Sequence, residues 1–345
     1  MNMKFWHPRW RKLFTASLLI IGVLIGSASV YAAYLYHKWN ETIDHIAASQ
    51  PSSEPGSTAA ISSDFNPLAL TSDDMAKPLT FLLTAIDERG GSEGSLNTDV
   101  MMLFSVNPAT HQATVLSIPR DLEVRAEDSG LDDSHKANYF YAYYYNQDKN
   151  TALSQTKKLF SNLYHVPIDY MAIINFDGFR KVIDQLGGMT VQVDMDMKYE
   201  DESDGTNINL VKGLQHLNGK QVLDFIRYRK SNLGTAESSD LARNQREQLV
   251  LNQLLDQLTS LNGVTAWGKL LDIVGTSIKT DIPAEELRQL TTSYKALKPS
   301  NVNYIQLNGE WESPYVVVKQ QDLEQALTAL REQTAIPIDS EGRTN

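Results

Sequence analysis

The sequence predicts an α/β protein: a single α/β/α sandwich domain with a mixed central sheet, preceded by one transmembrane helix. Three observations carry this. Short apolar runs of strand length alternate with amphipathic helical stretches across residues 79–333, the pattern of packed α and β layers. The first three runs are joined by connections short enough for hairpins, which makes the sheet mixed rather than wholly parallel. Ahead of them, Leu13–Tyr36 is an uncharged, largely apolar run long enough, at about 1.5 Å per residue, to cross a hydrocarbon layer of about 30 Å. The chain has 345 residues, 42% hydrophobic and 21% charged, which leaves room for a sizeable core. Cysteine is absent, which excludes disulfides, thiolate metal sites and thiol nucleophiles.

Lys4, Arg9, Arg11 and Lys12 precede the apolar run, and Trp6, Trp10, Tyr34, Tyr36 and Trp39 flank it as an aromatic belt would. The positive-inside rule then puts residues 1–12 in the cytoplasm, the span at 13–36 and everything after it outside the cell membrane. A signal peptide cleaved at Ser27-Ala28-Ser29 competes with this reading, but the apolar run outlasts that site and the usual h-region. Four of the 31 basic residues lie before the span, so the exported part has 27 against 42 acidic ones, a balance of −15. Such a surface disfavours nucleic acid as a partner. Residues 37–78 read as an extracellular linker, since Ala47–Pro78 is rich in Ser, Ala, Thr and Pro and lacks periodicity.

Within the domain, Thr80–Ile86, Asp99–Val106 and Ala113–Ile118 read as buried strands, with a Gly-rich loop after the first and an Asn107-Pro108 turn after the second. An aromatic run, Tyr139–Tyr145, suits either a sugar-stacking surface or, as for most such rings, the core. Thr151–Tyr164 reads as a helix, Tyr170–Phe176 as a strand, Asp177–Leu186 as a core-facing helix stopped by Gly187-Gly188, and Met189–Val193 as a strand. The acidic segment Asp194–Asp204 lacks the glycine and terminal glutamate of an EF-hand and reads as a solvated loop. A helix from Asp240 through Leu258, one capped by Asp281 and running through Leu290 and Leu297, strands at Asn303–Leu307 and Tyr315–Val318, and a helix over Gln321–Arg331 follow. Residues 334–345 form a polar tail.

Two groups of residues carry candidate chemistry. If the first three strands are sequential antiparallel neighbours, Asp87, Asp99 and Arg120 meet at one sheet edge. Two carboxylates there suit a hard divalent cation, Mg²⁺, Mn²⁺ or Ca²⁺, although turn or capping roles fit the same spacing. The second group is a positive island in an acidic chain, Leu217–Gln248, with Lys220, Arg227, Arg229, Lys230, Arg243 and Arg246. Arg227 and Arg229, two apart, share a direction only in an extended segment, because a helix would separate them by about 200°. Arg243 and Arg246, three apart, share a helix face, and Asp240 as N-cap puts Arg243 in the first turn. A cation there opposes the helix dipole and is explained by an anion held with the helix N-terminus; a solvated charged loop is the alternative. The seven His show no ligand spacing, and no G-x-S-x-G motif is present.

Taken in order, Asp87-Glu88-Arg89, Thr98-Asp99, Ser117-Ile118-Pro119-Arg120-Asp121, Lys136-Ala137-Asn138, Ile168-Asp169-Tyr170, Asn175–Phe179, Leu186–Gly188, Gly213–Gln221, Arg227-Tyr228-Arg229 and Asp240–Arg246 form a series of motifs over roughly Leu79 to Leu258. Together they resemble the LytR-CpsA-Psr family of cell-envelope proteins. The resemblance implies a transferase that moves an anionic glycopolymer, of teichoic acid or capsular polysaccharide type, from a polyprenyl diphosphate carrier to a muramic acid hydroxyl of peptidoglycan. It implies Mg²⁺, with Mn²⁺ as the alternative, on Asp87 and Asp99. It further implies a catalytic role for these two with Arg120, and a diphosphate held by Arg89, Arg120, Lys136, Arg227, Arg229, Arg243 and Arg246. Asn97, where the family commonly has arginine, and Glu247, where glutamine is common, make the pocket less positive. Rival readings are a polyprenyl diphosphate phosphatase and a non-catalytic, polymer-binding or regulatory envelope protein.

Overall fold

A computed structural model describes residues 30–47, 77–87, 96–126, 133–202, 205–260, 264–292 and 299–334. Most of the expected span at 13–36 and most of the linker lie outside these residues. No described helix is long and apolar enough to cross a membrane. Residues 30–46 form one helix, α1, which includes positions 37–46 where the linker was expected to begin.

The remaining elements are β1 (Leu79–Ile86), β2 (Thr98–Asn107), β3 (Gln112–Ser117), β4 (Glu123–Arg125), β5 (Ser134–Lys136), α2 (Tyr139–Gln147), α3 (Ala152–Tyr164), β6 (Tyr170–Asn175) and α4 (Phe176–Gln185). Then come β7 (Met189–Val193), β8 (Met197–Asp201), β9 (Thr206–Leu210), β10 (Gly213–Leu217), α5 (Gly219–Arg227), α6 (Asp240–Ser260), α7 (Val264–Ser277) and β11 (Ile278–Thr280). The chain closes with α8 (Ala284–Thr292), β12 (Asn301–Gln306), β13 (Gly309–Glu312), β14 (Tyr315–Val318) and α9 (Gln320–Thr334).

The central sheet has the order β11-β6-β1-β2-β3-β12. β1, β2 and β3 are antiparallel neighbours, whereas β6 and β12 join β1 and β3 in parallel, so the sheet is mixed as expected. One face is sealed. Leu82, Leu103, Leu116 and Met171, fully buried, pack with Phe140 of α2, Phe160 of α3 and Leu327 and Leu330 of α9. The aromatic run therefore supplies core through Phe140 and Tyr141, its other rings being half-buried. On the other face α4 and α5 pack over Ala85 through Phe176 and Leu223.

A second core joins β7, β8, β9 and β10 to α5 and α6. Here the solvated loop expected at Asp194–Asp204 is replaced in part by the β8–β9 hairpin. Its acidic residues masked a period-2 pattern in which Met197, Ile208 and Leu210 turn inward. Gly187 and Gly188 end α4 with φ of 89° and 87°, left-handed values that glycine adopts without strain. A Cβ on Gly219 would run into the backbone carbonyl of Arg180, so glycine is what lets α5 start against α4. Asn218 caps α5: its side chain accepts from Gln221 N while the Gln221 side chain accepts from Asn218 N, a reciprocal capping box. Asn218→Ala is expected to cost about 1 kcal/mol in a urea melt.

α1 docks on the domain edge. Lys38 Nζ lies 2.7 Å from Asp272 of α7, and Arg288 of α8 bonds both Asn40 and Asp44. Asp281 accepts from Met171 N at 2.6 Å and pairs with Lys157, so it ties α3 to the β6 edge. Helix α8 is described from Ala284 to Thr292, and the expected continuation to Leu297 lies outside the described residues.

Candidate functional site

The β1–β2 register passes from Ala85↔Val100 to Ile86↔Thr98, leaving Asp99 as an extra residue in a bulge at the strand end. A bulged residue lacks a cross-strand partner and its side chain is re-aimed, a device common beside functional sites. Asp87, one residue past β1, opens at the same end. Both line a cleft of about 940 Å³ together with Arg120, Arg227, Arg229 and Arg243. Five segments remote in sequence thus deliver the two carboxylates and four arginines to one place.

Each arginine is aimed by a different local device. Arg120 follows β3, donates to Asp99 Oδ1 at 2.6 Å and approaches Asp121 Oδ2 at 3.4 Å. Burial would raise the Asp121 carboxyl, but its bond to Lys136, 2.8 Å away, and the charge of Arg120 hold it below the usual carboxylate value. Arg227 was expected in an extended pair with Arg229; it instead closes helix α5. Its guanidinium lies 5.0 Å from the centroid of Phe176 and 3.5 Å from Asp87 Oδ2. The chain becomes extended only at Tyr228, which is fully buried and whose hydroxyl donates to Ala236 O at 2.6 Å. With the tyrosine drawn inward, the arginines on either side of it reach the cleft.

Arg243 stands in the first turn of α6, as the spacing predicts, 3.7 Å from Glu247. The cap is supplied by Ser239 rather than Asp240: Ser239 Oγ accepts from Ala242 N at 3.1 Å. Arg246 does not line the cleft. It is 3% exposed and forms a two-pronged bond with Asp194, 2.7 Å on each arm, across the second core. The three-residue spacing puts Arg243 and Arg246 about 60° apart on the helix, enough to send one to the cleft and the other inward. Lys136 is also outside the lining; it acts on Arg120 through Asp121. Arg89 lies outside the described residues.

Sequence reasoning missed Arg180 of α4, which also lines the cleft and pairs with Asp177 at 2.6 Å. The only signal was its place on the polar face of an amphipathic helix, where solvated arginines are common. Lys220, named in the basic island, lines the cleft too and holds Asp224 at 2.7 Å. Burial raises the Asp224 carboxyl above its ordinary value despite that lysine.

The donor set fits a hard divalent cation. Asp87 and Asp99 are half-buried oxygen donors, 24% and 22% exposed, at one strand end. Among the described residues no group of three or more His, Cys, Asp or Glu could hold a metal. A cation on this pair would therefore draw its remaining ligands from water and substrate oxygens, the habit of Mg²⁺ beside phosphates.

The sheet face over this end is the one on which α4, α5 and α6 lie. Phe81, Leu83, Val100, Met102 and Phe104 alternate with the fully covered residues of the other face, yet each is only half-buried. Among them Val100 lines the cleft.

The chain is 26% identical over 300 residues, 87% of each protein, to the polyisoprenyl-teichoic acid–peptidoglycan teichoic acid transferase TagU of Bacillus licheniformis. It is 31% identical to the TagU of Oceanobacillus iheyensis over 235 residues, 68% of each protein. Its fold is similar to that of TagT bound to LI-WTA, with a TM-score of 0.55 at 23% identity over 82% of this chain and 98% of that one. Residues 31–332, which take in α1, both cores and the whole cleft, match the model of the LytR_cpsA_psr family, and the chain belongs to that family.

Proposed function

We propose that the protein moves an anionic glycopolymer of teichoic acid type from a polyprenyl diphosphate carrier to a hydroxyl of peptidoglycan. The reading rests on one observation above all: Arg120, Arg227, Arg229 and Arg243 surround Asp87 and Asp99 in one cleft. The names of the TagU relatives point to the same donor and acceptor. In such a transfer the acceptor hydroxyl oxygen bonds to the phosphorus next to the polymer as the bridging P–O bond to the lipid-side phosphate breaks. Lipid monophosphate leaves and the hydroxyl proton passes to solvent. Charge grows on the bridging oxygen, and guanidinium groups fixed beforehand stabilise it without reorganisation. No protein nucleophile is needed.

Mg²⁺ on Asp87 and Asp99, with Mn²⁺ as the alternative, would neutralise diphosphate oxygens when bound. Arg227 and Arg120, each beside one of these carboxylates, orient them toward the cleft. The prenyl chain lies against the half-buried side chains of Phe81, Leu83, Val100, Met102 and Phe104, where it removes apolar surface from water at roughly 25 cal/mol per Å². The protein works outside the cell membrane, anchored through residues 13–36.

The test supplies full-length protein in detergent with lipid-linked teichoic acid, peptidoglycan strands and Mg²⁺. Polymer attached through a new phosphodiester, with matching release of lipid monophosphate and loss of both on chelation, is the expected result. Release without attachment would make the protein a phosphatase; binding without turnover would make it a polymer-binding protein.

A further inference from the structure

A second cavity of about 360 Å³ shares Asp99, Arg120, Arg229, Arg243 and Glu247 with the main cleft and is lined further by Asp121, Gln306 and Trp311. Its outer wall is the β13–β14 hairpin, which carries Trp311. That ring is 60% exposed, a large apolar surface kept in water at the cavity rim. The hairpin holds it firmly: Val316, cross-strand from Trp311, donates its N–H to Asp121 O at 2.8 Å, one residue from Arg120. Lys136 Nζ stands 5.6 Å from the ring centroid and so links Trp311 to the Asp121–Arg120 pair. On the inner side Gln306, the last residue of β12, lines the cavity as a half-buried side chain.

We propose that this cavity is the acceptor subsite and takes an N-acetylhexosamine of the peptidoglycan glycan. The inference rests on the transferase reading above. A pyranose has an apolar C–H face that stacks on an exposed indole and a polar rim that hydrogen-bonds, the pairing offered by Trp311 and Gln306. The Gln306 side-chain amide supplies a polar partner for a ring hydroxyl or the acetamido group. Arg120 with Asp99 and Asp121, and Arg243 with Glu247, put both signs of charge in the shared wall, which suits an uncharged sugar better than a second anion. A sugar seated there brings its hydroxyl next to the phosphate held by Arg120, Arg229 and Arg243, which line both cavities.

The test measures transfer by the full-length protein with lipid-linked donor and soluble, uncross-linked peptidoglycan strands, varying each in turn. Trp311→Ala is expected to raise the acceptor KM about tenfold while the donor KM stays within about twofold. Trp311→Phe, which keeps a stacking face, should restore most of the acceptor KM, and Gln306→Leu should raise it as Trp311→Ala does. An unchanged acceptor KM in Trp311→Ala, or donor and acceptor KM rising together, overturns the subsite while leaving the transferase reading intact. Absence of transfer by the unsubstituted protein overturns both.

Discussion

Asp99→Ala is expected to cut polymer transfer by roughly a thousandfold, the scale of losing a group that organises charge at a transferring phosphate. The fold should survive. Asp99 is the unpaired residue of a bulge and 22% exposed, so its removal breaks no ladder bond and opens no core cavity. Donor affinity measured without metal should not fall with the rate, because Arg120 loses its 2.6 Å partner and the cleft becomes more positive. Rate and binding therefore separate, which distinguishes this loss from simple damage to an anion pocket. Initial rates with lipid-linked donor, donor binding without acceptor, and a thermal melt check the three parts. A folded Asp99→Ala protein that transfers at the normal rate removes Asp99 from the site. Arg229→Ala should also abolish transfer, but with weakened donor binding, since it removes positive charge.

Arg246→Ala is expected to damage stability instead, by about 3 kcal/mol, or a fall in Tm of roughly 6–12 °C. The guanidinium is 3% exposed and its two arms hold Asp194, with further bonds to Ser238 and to Tyr228 O. Truncation leaves those acceptors unpaired. The estimate stays at the low end for a broken pair because Asp194 is 45% exposed and water can reach it. The pair also sets a direction with pH. Burial would raise the Asp194 carboxyl, but the hydrogen bonds and charge of Arg246 outweigh it and hold the carboxyl below its ordinary value. Folding is then favoured by this group above the unfolded-state value near 3.8, and that contribution disappears as pH falls through the lower folded value. The unsubstituted protein should accordingly lose Tm more steeply than Arg246→Ala on acidification below about pH 4. Parallel slopes would show that the pair contributes little.

Much of the sheet was legible because its signal is local. Strand-length apolar runs with turns between them identify β1, β2 and β3, and sequential antiparallel pairing then brings Asp87, Asp99 and Arg120 to one end. The β8–β9 hairpin and α5 were not legible. In β8 the acidic residues hid the alternation, and in α5 the R-Y-R spacing favoured an extended reading that is correct only from Tyr228 onward. The caps divided in the same way. A serine or an aspartate could begin α6 equally well by sequence, and the choice of Ser239 follows from backbone geometry at one turn.

By itself, then, the sequence determined the layers, the mixed sheet, the two carboxylates at its end and the set of basic residues from which a diphosphate site could be drawn. Only the tertiary structure decided which of those cations face the cleft. Arg243 and Arg246 have the same chemistry and lie one turn apart, yet Asp194, some fifty residues earlier in the chain, draws Arg246 into the second core while Glu247 keeps Arg243 at the cleft. Side-chain type and helical spacing are local properties that a sequence displays. The partner that neutralises a buried charge is a long-range one, fixed by how the β7–β10 layer packs against α5 and α6.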